Sequence, residues 1–313
     1  MADGKKVTVV GAGNVGSNTA RRVAEKNLAD EVVMTDIVDG LPQGLALDIN
    51  QSSPVEGFET RAVGSNDYGA TAGSDVVVIT AGLPRKPGMS RMDLLDKNSE
   101  IVGGVTKEIA KHSPEAILIV VSNPLDEMTF LAAEESGFPR ERVMGMAGVL
   151  DSSRLRFFIA EKLNVVPSEV QAITLGSHGD QMVALPRHAT VQGKPLPELV
   201  DEETLEQLFQ RTRDGGAEIV KYLQKGSAFY APSSSAAAMV NSILNDVDDV
   251  HPTCAWTTGQ YGISDVYLGV PAKLGRGGVT EIVELDLNEA ELTQLREAAE
   301  AIRSKCEELS ARR

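Results

Sequence analysis

A histidine in a polar turn is the first residue of this sequence that could carry out chemistry. Among four histidines, only His178 has glycine and polar neighbours on both sides, in the segment GSHGD at residues 176–180 that follows an apolar run. Imidazole gains and loses a proton near neutral pH, so it can act as a general acid or base. A lone histidine of this kind is more often structural, so its companions must decide its role.

Two charged residues earlier in the chain are candidate companions for His178. Asp151 and Arg154 lie in the segment DSSR, near the start of a helix that we expect over residues 149–163. A carboxylate that binds one ring nitrogen of a histidine fixes the tautomer and stabilises the protonated ring. Such a histidine can accept a hydroxyl proton while a hydride leaves to a cofactor, and can return the proton in the reverse reaction. We therefore predict an acid–base pair of His178 and Asp151.

A glycine-rich segment near the start predicts where that cofactor binds. Gly11, Gly13 and Gly16 form the pattern G-x-G-x-x-G between an expected strand at residues 7–10 and an expected helix at residues 14–28. In this context the first glycine permits a tight turn, the second lets the backbone approach a pyrophosphate, and the third lets the helix pack on the strand. The N-terminus of the helix then offers free N–H groups and a partial positive charge to the phosphates.

Asp36 indicates which dinucleotide the glycine segment binds. It follows the second expected strand and lies 36 − 16 = 20 residues beyond Gly16, where an acid that binds the adenosine ribose is expected. A carboxylate at this place would repel a 2′-phosphate, so the sequence favours NAD over NADP. The alternative is a cluster of turn glycines with Asp36 as an acid in a loop.

Two further strand ends should lie at the same crevice, because ligands bind at the carboxyl ends of parallel strands. One strand ends near residues 80–82 and the next near residues 121–123. Asn123 offers both a donor and an acceptor, and it could also cap a helix that begins at Pro124. The candidate cofactor-binding residues are Gly11, Ala12, Gly13, Asn14, Val15, Gly16, Asp36, Thr80, Ala81, Gly82, Asn98, Val121, Ser122 and Asn123.

The elements that must position these residues alternate between strand and helix in the first half of the chain. Apolar, β-branched runs of this kind are typical of strands buried on both faces of a parallel sheet. Strand, helix, strand in succession predicts right-handed crossovers and a Rossmann-type doubly wound sheet. We expect strands at residues 7–10, 31–35, 75–80 and 117–121, and helices at residues 14–28, 92–112 and 124–136.

The second half predicts an α+β substrate domain with antiparallel strands, because the links between its later strands are too short for helical crossovers. The last helix should begin at Asn288, with Glu291 completing a capping box. We place the domain boundary near residue 147, which gives an NAD-binding domain at 1–147 and a substrate domain at 148–313. We expect helices at 149–163 and within 201–245, and strands at 169–175, 182–192 and within 252–285.

Composition narrows the classes of partner. The net charge of −15 over 313 residues argues against nucleic acid and against anionic membrane surfaces, whose charges would repel it. The acidic surface could serve solubility alone or adaptation to high salt. Cys254 and Cys306 form neither a zinc motif nor a disulfide framework, so we expect no metal. With no signal-peptide pattern and no apolar run of 18 residues, we expect a cytoplasmic protein.

Five segments resemble the lactate/malate dehydrogenase family, and more narrowly the lactate-dehydrogenase-like malate dehydrogenases of bacteria and archaea. They are GAGNVG, ITAGLPRKPGMSR, VVSNPLD, VLDSSR and LGSHGD, and their order and spacing agree with the family over essentially the whole chain. The resemblance implies reversible, NAD-dependent oxidation of (S)-malate to oxaloacetate, a step of the tricarboxylic acid cycle. It also implies a homotetramer or homodimer.

The resemblance further implies a role for each residue of the reacting centre. His178 would be the proton acceptor and donor, with Asp151 as its partner. Arg154 would bind the carboxylate that all 2-hydroxy acids share. Asn123 would position both substrate and nicotinamide.

A basic segment at residues 82–91, GLPRKPGMSR, corresponds in the family to a lid over the substrate. Arg91 would polarise the substrate carbonyl as charge develops on its oxygen. Arg85 would bind the second carboxylate of a dicarboxylic acid, because a guanidinium pairs with a carboxylate through two hydrogen bonds. Read without the resemblance, the segment could equally be a solvated basic loop.

Three alternatives stay open from the sequence. A lactate dehydrogenase would share every feature except Arg85. An NAD-requiring glycosidase would need a metal site of cysteine and histidine, and Cys254 lies close to His251 in sequence. A non-enzymatic derivative of the family would have no need of an intact set of polar site residues. Ser227 or Ala228 could fill the position of a small residue near the substrate, and we assign neither a catalytic role.

Overall fold

The computed structural model describes residues 4–83, 91–179, 181–247 and 249–312, and of Arg91 the backbone alone. Its contacts divide the chain into two compact units. Unit 1 comprises Met1–Met146, Phe229–Asp249 and Lys273–Glu281, and unit 2 comprises Ala147–Ala228, Val250–Ala272 and Ile282–Arg313.

Unit 1 contains a parallel sheet in the strand order β3-β2-β1-β4-β5-β6. Its central strand β4 has all four side chains fully buried, as expected when helices cover both faces of a sheet. The doubly wound parallel sheet is thus confirmed. The strands are β1 (Lys6–Val10), β2 (Glu31–Thr35), β3 (Arg61–Ser65), β4 (Val76–Ile79), β5 (Ile117–Val120) and β6 (Val143–Gly145).

Five α-helices within the described residues belong to unit 1. Four lie between its strands, and the fifth arrives from much later in the chain to pack on α1, where Arg22 Nε donates to Ser233 Oγ at 3.4 Å. The contacts thus place residues 229–249 with residues 1–146 rather than with the segment after residue 147. The helices are α1 (Asn14–Glu25), α2 (Leu41–Glu56), α3 (Arg91–His112), α4 (Leu125–Ser136) and α7 (Tyr230–Asn245).

Helix α2 and strand β3 were not among the elements expected from the sequence. Pro54 lies inside α2, and its apolar residues do not follow a single stripe: Ala46 and Ile49 are buried while Leu47 and Val55 are exposed. An amphipathic pattern is the main local signal of a surface helix. Without that pattern, residues 41–65 carried too little information for a prediction.

Unit 2 is built on α5 (Gly148–Leu163), α6 (Glu202–Leu223) and α8 (Glu289–Ala311). Antiparallel pairing joins β13 to β8 and β8 to β9, as expected for this half of the chain. A smaller antiparallel sheet has the order β11-β10-β7. The strands of this half of the chain are β7 (Val170–Gln171), β8 (Thr174–Gly176), β9 (Met182–Ala184), β10 (Thr190–Val191), β11 (Lys194–Pro195), β12 (Val250–Thr258), β13 (Ser264–Gly275) and β14 (Gly278–Ile282). The last residues of β13 and nearly all of β14 belong to unit 1.

The core of unit 2 lies between α5 and α6. Leu155, Phe158 and Ile159 of α5 pack with Leu208 and Phe209 of α6. At the far end of the chain, α8 begins as predicted. The Asn288 side chain accepts from Glu291 N at 2.9 Å, and Glu291 Oε2 accepts from Asn288 N at 2.9 Å. No helix within the described ranges is long and apolar enough to cross a membrane.

Candidate functional site

The glycine loop between β1 and α1 has the shape that a bound pyrophosphate requires. Gly11 has a φ of 98°, and a Cβ on Gly16 would collide with the carbonyl oxygen of Gly11. Both positions therefore need glycine. Around Gly13, by contrast, a Cβ would meet no described atom within 4 Å, and no side chain in the described ranges caps α1. The N-terminus of α1 thus has room for an anion against its N–H groups.

Asp36 holds the end of β2 against this loop. Its two carboxylate oxygens accept from Ala12 N at 2.6 Å and from Val38 N at 2.9 Å. Asn66 fixes the following turn by donating from Nδ2 to the carbonyl oxygens of Asp36 and Val38, at 2.7 and 2.9 Å. The negative charge is therefore oriented by charge-assisted hydrogen bonds beside the glycine loop. This placement fits a ribose with free hydroxyls and opposes a 2′-phosphate.

Asn98 joins the ends of two neighbouring strand segments. Its Oδ1 accepts from Leu83 N at 2.8 Å, and its Nδ2 donates to the carbonyl oxygens of Leu83 and Asn123, at 3.2 and 2.6 Å. The residue is only 2% exposed. Both ends of its amide thus bind backbone, which fixes Leu83 and Asn123 in place. Its direct contact with the cofactor stays a prediction.

Thr80 and Ser122 fasten the same strand ends to their neighbours. Thr80 Oγ1 lies 3.0 Å from the carbonyl oxygens of Val10 and Gly11, and Ser122 Oγ donates to the carbonyl of Ala81 at 2.6 Å. These bonds hold residues 80–82 and 121–123 at the carboxyl edge of the sheet, where the sequence placed them. The crevice side of this edge is where doubly wound sheets bind ligands.

One expected role of Asn123 is wrong. The alternative role considered for it was to cap a helix beginning at Pro124, but α4 begins at Leu125 and Pro124 itself occupies the N-cap position. The Asn123 side chain is therefore not committed to the end of α4 as a cap.

The predicted acid–base pair forms within unit 2. Asp151 lies in the first turn of α5, and its Oδ2 accepts from His178 Nδ1 at 2.8 Å. Its side chain is only 3% exposed, whereas that of His178 is 22% exposed. Because an ionised carboxylate can only accept, Nδ1 carries the proton and Nε2 carries the lone pair of the neutral ring. This tautomer is the one that can accept a proton from a substrate hydroxyl.

Arg154 lies one turn further along α5, beside the same carboxylate. Its Nη1 is 3.4 Å from Asp151 Oδ1, and its side chain is 12% exposed. Burial lowers the pKa of Arg154 by desolvation, which the Asp151 charge partly opposes; arginine nonetheless keeps its charge in proteins. Its buried Nε has no hydrogen-bond partner among the described residues. With one acid contact, made by Nη1, Arg154 has other guanidinium N–H groups for an anionic ligand, and a carboxylate fits a guanidinium edge.

A pair of hydroxyl residues that sequence reasoning missed connects α5 to the histidine turn. Ser152 Oγ lies 3.2 Å from Thr174 Oγ1 and accepts from Thr174 N at 3.0 Å. Thr174 begins β8, which leads directly into the turn that carries His178. Ser152 thus helps to fix the distance between Asp151 and His178. Its place beside Asp151 in DSSR was the only signal in the sequence.

Most of the basic segment lies outside the described residues. Arg85 lies outside the described residues, and the side chain of Arg91, at the start of α3, does so too. Their roles stay predictions. As for metals, the described part of the chain holds no group of three or more His, Cys, Asp or Glu side chains that could bind one.

Comparisons with known proteins agree with this geometry. Residues 5–145 match the lactate/malate dehydrogenase NAD binding domain, and residues 148–312 match the alpha/beta C-terminal domain of the same family. A malate dehydrogenase of Chloroherpeton thalassium is 54% identical over 306 residues, which are 98% of this chain and 99% of that protein.

Solved structures show the same likeness. Malate dehydrogenase from Salinibacter ruber superimposes with a TM-score of 0.94 at 52% identity, covering 98% of each chain. Lactate dehydrogenase from Cryptosporidium parvum, complexed with lactic acid and NAD, superimposes with a TM-score of 0.95 at 39% identity, covering 99% of each chain. The resemblance and the NAD cofactor expected from the motifs are confirmed, and the chain belongs to the lactate/malate dehydrogenase family.

Proposed function

We propose that this chain is an NAD-dependent malate dehydrogenase, which interconverts (S)-malate and oxaloacetate. The observation that carries the proposal is the cluster of His178, Asp151 and Arg154, in which a proton acceptor and a carboxylate-binding cation share one buried acid. The names of the relatives support the choice of substrate, since those at 52–55% identity over nearly the whole chain are called malate dehydrogenase.

His178 performs the proton transfer in this proposal. Its Nε2 accepts the proton of the substrate hydroxyl during malate oxidation and returns it to the carbonyl oxygen during reduction. When bound, NAD supplies the nicotinamide that accepts the hydride. Asp151 stabilises the imidazolium that forms, because its buried carboxylate lies 2.8 Å from Nδ1 and the low exposure of the pair strengthens the attraction.

Arg154 binds and orients the carboxylate next to the reacting carbon. A guanidinium pairs with a carboxylate through two parallel hydrogen bonds. Hydrogen bonds between charged groups are about twice as strong as neutral ones. Arg154 therefore determines where the hydroxyl lies relative to His178.

Selection of a dicarboxylate is assigned to the basic segment. Arg85 binds the second carboxylate, Arg91 polarises the carbonyl and Asn123 orients both substrate and nicotinamide. The equal likeness to a malate and a lactate dehydrogenase structure means that the fold does not discriminate between the two substrates. Discrimination must therefore come from individual side chains. Arg85 is the candidate, because its positive charge suits the second carboxylate of a dicarboxylic acid, which a monocarboxylic acid lacks.

NAD is held by the glycine loop and by the carboxyl edge of the sheet in unit 1. The N-terminus of α1 would hold the pyrophosphate, and Asp36 would bind the ribose. The residues assigned to NAD are Gly11, Ala12, Gly13, Asn14, Val15, Gly16, Asp36, Thr80, Ala81, Gly82, Asn98, Val121, Ser122 and Asn123. In functional terms, residues 1–147 form the NAD-binding domain and residues 148–313 the substrate domain.

The proposal includes a homodimer or homotetramer in the cytoplasm. Exposed apolar side chains on unit 1 support self-association: Leu47 and Val55 of α2 are 58% and 86% exposed, and Tyr230 of α7 is 62% exposed. A contiguous patch of such side chains would be typical of a protein–protein contact. The reduced, buried cysteines Cys254 and Cys306 suit a reducing compartment.

The test is a direct comparison of substrates and cofactors. Oxidation of NADH is followed at about 340 nm with oxaloacetate and with pyruvate, and the assay is repeated with NADPH. A strong preference for oxaloacetate with NADH supports the roles of Arg85 and Asp36. A preference for pyruvate would leave His178 in place and remove Arg85 as the selector, whereas no activity with either substrate would refute the proposed function.

A further inference from the structure

Two consecutive glycines lie in the interior of α6, at Gly215 and Gly216. Glycine is less favourable than alanine inside a helix, because it loses more backbone freedom on folding. Departures from local preference tend to occur where a site needs them. Neither glycine has a φ that excludes other residues, since both lie in regular helix. The reason for them must therefore lie in what surrounds their missing side chains.

The side chain of Arg154 fills the space beside both glycines. A Cβ on Gly215 would lie 3.0 Å from Arg154 Cδ and 3.4 Å from its Nε, and 3.7 Å from Phe158 Cε2. A Cβ on Gly216 would lie 3.7 Å from Arg154 Nη2 and 4.0 Å from Nη1. The 3.0 Å distance to Cδ is too short for a methyl group on residue 215 unless Arg154 moves. The distances from a Cβ on residue 216 are ordinary van der Waals contacts.

Helix α6 cannot easily move away to relieve that contact. Arg211, one turn before Gly215, binds Glu218 of its own helix through Nε and Nη2, both at 3.0 Å. It also donates from Nη1 to Glu161 Oε2 of α5 at 2.6 Å, and its guanidinium lies 4.1 Å from the centre of the Phe158 ring. Together with the buried apolar packing between the two helices, the bond to Glu161 and the Phe158 contact oppose a shift of α6, so we expect an added side chain at 215 to displace the flexible Arg154 side chain instead.

From this geometry we infer that Gly215 is a positioning residue for substrate binding. Because it has no side chain, it leaves the space that Arg154 occupies, and this determines where the guanidinium lies relative to the substrate carboxylate. The inference rests on the proposed function of Arg154 as the carboxylate ligand. Displacement of Cδ by a few tenths of an ångström carries the whole guanidinium with it. Nε, the first atom of the guanidinium group, is the atom nearest to the change after Cδ.

The experiment compares Gly215→Ala with its neighbour Gly216→Ala as a matched control. For Gly215→Ala we expect KM for oxaloacetate to rise at least about tenfold with a smaller change in kcat, as for loss of an interaction made equally in ground and transition states. The Kd of L-malate for the enzyme–NADH complex, which cannot react, should rise in parallel. Gly216→Ala should change either constant by less than about twofold, since it makes only ordinary contacts.

A third variant, Arg154→Met, separates this inference from the proposed function. If Arg154→Met leaves KM and the Kd of L-malate unchanged, Arg154 does not bind substrate, and both ideas fail. If Arg154→Met has its effect but Gly215→Ala behaves like Gly216→Ala, the positioning role alone is refuted. In the Arg154→Met background, Gly215→Ala should add less than about twofold, because coupled residues are not additive. Full additivity, or a Gly215→Ala protein that does not fold, would show that Gly215 serves helix packing only.

Discussion

Replacing Asp151 by asparagine removes one charge from the reacting centre while keeping the size of the side chain. Both carboxylate oxygens have partners, His178 Nδ1 at 2.8 Å and Arg154 Nη1 at 3.4 Å. An amide has only one oxygen, so its NH2 group must face either the imidazole or the guanidinium. Facing the imidazole, it would favour the tautomer with the proton on Nε2, which cannot accept the substrate proton. Facing the guanidinium, it would place two donors together.

The size of the effect follows from burial. Asp151 is 3% exposed, and removing one member of a buried ion pair costs about 3–5 kcal/mol. At about 1.4 kcal/mol per tenfold change, that cost corresponds to about a hundred- to several-thousand-fold. Since asparagine keeps one of the hydrogen bonds, we expect the lower part of this range: kcat falls about 100- to 1000-fold in both directions.

The assay measures kcat and KM at saturating NAD or NADH, with malate and with oxaloacetate. Asp214→Asn is the matched control, because it removes the same charge from an exposed position on α6 and should leave kcat unchanged. Thermal unfolding of each variant establishes that it is folded. If Asp151→Asn retained more than about a tenth of kcat, the carboxylate would contribute less than about 1.4 kcal/mol. The proposed role of Asp151 would then be untenable.

Three further variants test other parts of the proposal. Arg85→Gln should shift preference from oxaloacetate towards pyruvate by at least about a hundredfold in the ratio of kcat/KM, because an unpaired buried carboxylate costs about 3–5 kcal/mol; a shift below about tenfold would show that selection lies elsewhere. Asp36→Ser should improve NADPH relative to NADH by at least about tenfold and weaken NADH, since it also loses the bonds to Ala12 N and Val38 N; fluorescence titration with both cofactors measures this, and an unchanged ratio would contradict the ribose contact. Asn288→Ala should lower the free energy of unfolding by about 0.5–2 kcal/mol without affecting kcat, because it removes the cap of α8. Urea unfolding of the variant and the parent protein, with kcat measured for both, is the check. Equal stability would mean that the capping box contributes nothing.

The parts of the site that depend on short-range spacing could be predicted from the sequence. Gly11, Gly13, Gly16 and Asp36 follow a fixed pattern around one strand–helix–strand unit, so their placement could be predicted before the structure. Asp151 and His178 are 27 residues apart in the chain, and only their residue types and their neighbours suggested that they pair. The structure supplied the distance between the two side chains, and the tautomer of His178 follows from that hydrogen bond.

Other features depend on packing that no local pattern reveals. Helix α2 lacks a clear apolar stripe, so its existence could not be read from periodicity. Gly215 looks like an ordinary helix-weakening residue until Arg154 is placed beside it. Asn123 was expected to cap α4 because a residue before proline often ends a loop. The backbone instead gives that position to Pro124.

The return of α7 to unit 1 has a consequence for how the chain is made. Its apolar residues Ala236, Met239, Val240 and Ile243 are buried, and Lys5 Nζ donates to Asn245 Oδ1 at 2.6 Å. During synthesis, α1 and β4 therefore leave the ribosome long before α7, which packs on both of them. Until about residue 245 emerges, an apolar face of the nascent chain stays exposed, a state in which aggregation competes with folding. Contacts over such long stretches of chain also slow folding. Unit 1, whose translation begins first, is thus completed only after most of unit 2 has been translated.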